Sequence, residues 1–127
     1  MINWYGLVSK DLGKLPECID YYMKQLDEAR VEAGLVGNIE RNASHIPGVV
    51  EHRFNQLQEI EAILEHLNIE LRKTRARHYK KFLEAYQRAL TSRDAEKYID
   101  GEDEVVVMSQ LINEFALVRN KYLGLLK

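Results

Sequence analysis

The 127-residue chain reads as all-α: a long central helix packed with two shorter amphipathic helices in a coiled-coil-like, oligomeric bundle. Three observations predict this. Apolar residues recur at i, i+3, i+4 and i+7 in three separate stretches. Between Val49 and Leu90 there is neither Gly nor Pro, which permits one helix of roughly 40 residues, about 60 Å at 1.5 Å per residue. The whole chain holds only two Pro and seven Gly, so regular structure dominates. A single helical domain over 1–127 follows, divided into an N-terminal arm (1–15), a helix and connector (16–46), a long basic-ended helix (47–92) and a C-terminal helix (102–127).

In the arm, Trp4, Leu7 and Val8 are expected to pack onto the body, with no sustained period. Pro16 suits a first helical turn, where its missing N–H is not needed, and Glu17 and Asp20 complement the positive dipole end. Ile19, Tyr22, Met23, Leu26 and Ala29 form one stripe, carrying a helix to about Ala33. Gly34 and Gly37 weaken its continuation, and the segment to His45 fits either a short helix or a loop. Pro47 opens the main element. Leu57, Ile60, Leu64, Leu67, Leu71, Thr74 and His78 step by three and four, a heptad seam whose polar members lie only at its basic end. The apolar set then drifts to Phe82, Ala85, Tyr86 and Ala89. A solitary helix of this length cannot bury such a stripe and must pack on other helices or another subunit.

Thr91-Ser92-Arg93-Asp94 carries helix-start chemistry with Ser92 as cap, and Asp100-Gly101 is a turn signal. Glu102, Asp103 and Glu104 are well placed at a helix N-terminus. Met108, Leu111, Ile112, Phe115, Val118, Tyr122 and Leu125 trace the third stripe, which outweighs the β-prone triplet Val105-Val106-Val107. The stripe still runs where the sequence stops, so a final helix cut short or completed by a partner is expected.

Charged residues at 30% beside 46% hydrophobics exclude a membrane protein and argue against a wholly disordered one. No apolar run approaches the roughly 20 residues of a membrane span, and no basic-then-apolar export signal opens the chain. The lone Cys18 fits a reducing compartment, so an intracellular protein without a membrane role is expected. The net charge of −2 hides an asymmetry. From Arg72 to Arg93 eight cations face one acid, Glu84, leaving +7 in this segment and −9 elsewhere. Such segregation points to an electrostatic contact surface, either for nucleic acid or for an acidic neighbour such as another copy of the chain.

No metal or cofactor is expected. His45, His52, His66 and His78 lack the spacings that set ligands on one helix face, and a calcium loop with Gly101 at its sixth position would carry Tyr98 and Val107 where oxygen ligands are needed. Catalytic residues are likewise not expected: there is no Gly-x-Ser-x-Gly elbow or Gly-rich phosphate loop, and Cys18 has no evident His partner. At 100° per residue from Leu71, Lys73, Arg77, Lys80, Lys81 and Arg88 fall between about 180° and 280°, one stripe with Glu84 the sole acid inside it. Tyr79 and Tyr86 project near 60–80°, towards the core flank, so phosphate contact is favoured over base stacking. Arg75 belongs to the same basic run by sequence. The candidate nucleic-acid contacts are therefore Lys73, Arg75, Arg77, Lys80, Lys81 and Arg88. The candidate core or oligomer seam is Leu57, Ile60, Leu64, Leu67, Leu71, Met108, Leu111 and Phe115.

The segment Leu71-Arg72-Lys73-Thr74-Arg75-Ala76-Arg77-His78-Tyr79, with Ser92-Arg93-Asp94-Ala95-Glu96-Lys97-Tyr98 and the helix from Leu117 to Leu126, resembles phage recombination mediators of the UvsY type. That resemblance implies a small helical oligomer that binds single-stranded DNA and helps load a recombinase onto strands covered by a single-strand-binding protein, in a host cytoplasm. It aligns Arg75-Ala76-Arg77 with the family's Lys-Ala-Arg and so implies a share in DNA contact for those residues. The first expectation is thus a nucleic-acid-binding accessory protein and not an enzyme. The alternatives are a structural or adaptor coiled-coil protein with no nucleic-acid role, and a helical metal enzyme.

Overall fold

The computed structural model describes residues 2–36, 46–85 and 92–126. Among the described residues every regular element is a helix. Helix α1 spans Trp4–Lys10 and is followed by a 3-10 turn, Leu12–Lys14; α2 spans Leu15–Val36, α3 Ile46–Ala85, α4 Ser92–Asp100 and α5 Asp103–Leu126. The long α3 is the axis of the bundle, lying against α5 and α2, with α1 and α4 on its flanks.

The arm is more structured than its sequence period implied, because two short polar side chains build it. The Asn3 carboxamide oxygen accepts the Gly6 N–H at 3.0 Å, capping α1. Asp11 ends the helix in extended backbone, and its carboxylate accepts the Gly13 N–H at 2.9 Å to start the 3-10 turn. This places Trp4 and Val8, one turn apart, on the core, whereas Leu7 points away and is 42% exposed. In α2, Pro16 and Glu17 occupy the first turn, and the helix continues through Gly34 to Val36. Tyr22 packs against Phe115 and Tyr122, with ring centroids 6.0 and 6.4 Å apart. Met23, placed in the α2 stripe by periodicity, is 44% exposed because it lies past the edge of the buried arc. The connector to His45 lies outside the described residues.

Helix α3 buries Leu57, Ile60, Ile63, Leu64 and Leu67 in one cluster with α1, α2 and α5, and Leu71, Met108 and Leu111 pack against it half-buried. Phe115 and Tyr122 of α5 are fully buried in the same cluster. The seam is thus covered within a single chain. Thr74 continues it as a buried polar residue, and Phe82 carries it towards α4, where its ring meets Tyr98 at 4.9 Å. Tyr86 and Ala89 lie outside the described residues. The turn at Asp100–Glu102 is closed by Gly101 N–H to Tyr98 C=O and Glu102 N–H to Ile99 C=O, at 3.2 and 3.0 Å. Asp103 and Glu104 then stand in the first turn of α5, and Val105 is buried inside a helix, not a strand.

Candidate nucleic-acid interface and a buried arginine

The basic half of α3 carries its cations on two different sides. Arg72, Lys73, Lys80 and Lys81 are exposed. Lys73 Nζ stands 3.3 Å from Glu70 Oε1 one turn earlier, while Arg72, Lys80 and Lys81 have no ion pair among the described residues. Arg75 and Arg77 instead reach across to the end of α4 and the start of α5. Arg75 Nη1 donates to Asp100, and Arg77 Nη2 donates to Glu104, whose other oxygen lies 3.0 Å from His78 Nε2. The local reason is the turn at Gly101, which delivers Asp100 and Glu104 to one stretch of α3. The Arg77 hydrogen bond, and then that of His78, hold the Glu104 carboxyl below the usual carboxylate range.

Lys73, Arg77, Lys80 and Lys81 therefore share one outward side, as their spacing predicts, whereas Arg75 is half-buried on the side facing α4. Arg88 lies outside the described residues. Leu83 is outside the core: it is 52% exposed, because the core on this half of α3 follows Thr74, His78 and Phe82.

A second polar constellation escaped the sequence reading. Arg53 of α3 is 5% exposed and makes a forked pair with Glu32 of α2, Nε to Oε2 at 2.8 Å and Nη2 to Oε1 at 2.6 Å. Its Nη1 donates to Gln25 and Gln56, both at 2.9 Å, and Gln56 Oε1 also accepts the Tyr122 hydroxyl at 3.1 Å. One guanidinium, whose planar donors match these acceptors, joins α2 to α3, and Gln56 extends the network to α5. The Arg53 hydrogen bonds, against the opposing effect of burial, hold the Glu32 carboxyl below its ordinary value. The signal was present in the seam, since the step of four back from Leu57 lands on Arg53. Nearby, the Tyr22 hydroxyl donates to Glu59, and burial first, then Glu59, raises its pKa far above the ordinary range.

Cys18 is fully buried, and burial together with the Glu59 charge pushes its thiol up to about 12. The thiol therefore stays protonated at neutral pH. An apolar groove of about 340 Å³ lies between α2, α3 and α5, lined by Leu12, Leu15, Leu67, Val107, Met108 and Leu111 with Asp103 and Glu104. Among the described residues no three His, Cys, Asp or Glu side chains come together as metal ligands. No described helix is long and apolar enough to cross a membrane. Compared with known proteins, the chain matches no family model, no curated protein and no solved structure.

Proposed function

We propose that the protein is a nucleic-acid-binding accessory protein, not an enzyme, that holds single-stranded DNA by its phosphates along the outer side of the basic half of α3. One observation carries this reading: Lys73, Arg77, Lys80 and Lys81 share one exposed side of a continuous helix over about 12 Å. Point-charge and fork contacts at that spacing follow a phosphate backbone without reading bases. The Glu104 partner of Arg77 is half-exposed, and surface pairs of this kind are worth about 0–1 kcal/mol, so a phosphate can displace it. Several chains in a homo-oligomer would present several stripes to one strand and gain avidity. In the fuller form of the proposal the protein acts as a recombination mediator, with a recombinase and a single-strand-binding protein as partners. The run Arg75-Ala76-Arg77 supports that form.

Fluorescence anisotropy of a labelled single strand, titrated at several salt concentrations, tests the reading. Four phosphate contacts give a slope of log affinity against log salt of about −3, and a Lys80→Gln/Lys81→Gln variant loses about half of it. Equally weak signals for the two proteins would remove the proposal. The ion pairs of Arg75 with Asp100 and Arg77 with Glu104 favour a second reading, a helical scaffold whose cations are answered internally. That reading would be upheld by an assembly with no affinity for DNA at any salt concentration.

A further inference from the structure

We propose that the outward face of α3 is a self-association surface, on which a second copy of the chain docks antiparallel about a two-fold axis passing near Ile69. Four large apolar side chains on this helix are left uncovered by the described elements: Val50, near its start, is 48% exposed, and Phe54, Ile69 and Leu83, which share one face, are 49%, 39% and 52% exposed. The last three are not scattered. At 100° per residue, Phe54, Glu65, Ile69, Arg72, Ala76 and Leu83 fall within about 60° of arc. Phe54 lies 15 residues before Ile69 and Leu83 lies 14 after it, so the three span about 44 Å with Ile69 at the middle.

The charges along α3 name the occupant. From Glu51 to Glu70 the helix carries five Glu, and its one Arg is the buried Arg53. From Arg72 to Ala85 it carries six cations against Glu84. The second half is thus the electrostatic complement of the first, mirrored about Ile69. A parallel neighbour would set like on like, whereas an antiparallel copy sets each acidic half on a basic half.

The register follows from the same centre. A two-fold axis across the contact keeps each residue on its own side of the helix, so residues on one side meet partners equally far from the axis. Glu65, four before Ile69, meets Arg72, three after it, and the symmetry repeats the pair. Phe54 meets Leu83, also twice, and Ile69 meets its own copy. Ala62 and Ala76 stand seven residues to either side, and their small side chains allow close approach of the two backbones. Both are exposed, as are Glu65 and Arg72. Of the candidate DNA contacts, Lys73, Arg77 and Lys81 lie beside this face, whereas Lys80 stands at its edge, on the same bearing as Ala62.

Analytical ultracentrifugation of the full chain tests the contact. A two-chain mass is expected for the native protein, and a one-chain mass with unchanged helical circular dichroism for Ile69→Glu. Glu65→Lys and Arg72→Glu should each weaken association about ten-fold, because the symmetry doubles the loss. Combining them in one chain should restore it. Glu65 and Arg72 are two turns apart on their own helix, so that recovery requires pairing between chains. A readout independent of these substitutions is disulfide capture. Mixing Phe54→Cys with Leu83→Cys protein should cross-link the two variants to each other and neither to itself, the native Cys18 being buried. A one-chain mass for the native protein, an Ile69→Glu variant that still pairs, or cross-links within each cysteine variant alone would overturn the proposal.

Discussion

Two arginines on the same helix, Arg53 and Arg77, each face a glutamate from another element, and their surroundings give the two pairs different roles. Arg53 is nearly sealed from water and spends its donors on Glu32, Gln25 and Gln56. Arg77 and its Glu104 are each about half exposed. Inside the bundle, a lost partner leaves a desolvated charge without compensation; at the surface, water replaces it. Arg53 is therefore committed to holding α2 and α3 in register with Tyr122 of α5. Arg77 is held loosely enough to exchange one anion for another. The same residue type is locked into the architecture near one end of the helix and left exchangeable near the other.

The largest expected consequence of this contrast is for Arg53→Ala. Removing one member of a buried pair costs about 3–5 kcal/mol, and the part-exposed Glu32 can recover some hydration, so about 2–3 kcal/mol should be lost in urea unfolding. Arg53→Lys should recover little of it, since one ammonium cannot reproduce the fork. A loss equal to that of Arg77→Ala would show that burial does not separate the two sites.

Acid sharpens the same comparison. The Arg53 hydrogen bonds hold the Glu32 carboxyl below its ordinary value of 4.5. Because the folded pKa lies below the unfolded one, the group contributes stability above about pH 4.5, and that contribution is lost as pH falls through the lowered folded value. Glu32→Gln should therefore flatten the fall of stability with acid below pH 4.5, measured as unfolding midpoints across pH. Glu104 is shifted in the same direction but is half-exposed, where water screens the pair, so Glu104→Gln should flatten the curve less.

What the sequence made legible follows the helical period. The apolar positions of α2, α3 and α5 repeat often enough to declare both helix and buried face, and Ile19, Tyr22, Leu64, Phe115 and Val118 are buried. Helix α1 is too short to show a period, and only the structure shows Asn3 and Asp11 capping its two ends. Met23 and Leu7 show the other limit, since apolar character marks candidates for burial and only neighbouring elements decide the edges of the buried arc. Charge was legible as a total and as a stripe, but not in its pairing. The run Arg72–Arg93 counts +7 by itself, yet which cations stay open depends on where the turn at Gly101 sets Asp100 and Glu104. Arg53 lay in plain view on the heptad step before Leu57, where an arginine among leucines signals a buried partner rather than a break in the seam.

The smallest expected effect bears most directly on function. Glu104→Gln removes the carboxylate that engages Arg77 without touching the cation. Both groups are solvated, so stability should move by less than about 1 kcal/mol. If Arg77 contacts phosphate, its internal competitor is gone, and the affinity for single-stranded DNA should rise at low salt. The salt dependence should also steepen, by up to about 0.7 in slope, since that contact no longer has to be exchanged from a carboxylate. Arg77→Gln should shift both quantities the other way, and the double variant should match Arg77→Gln alone. An affinity unchanged by Glu104→Gln would assign Arg77 to the joint between α3 and α5, and DNA contact would be left to Lys73, Lys80 and Lys81.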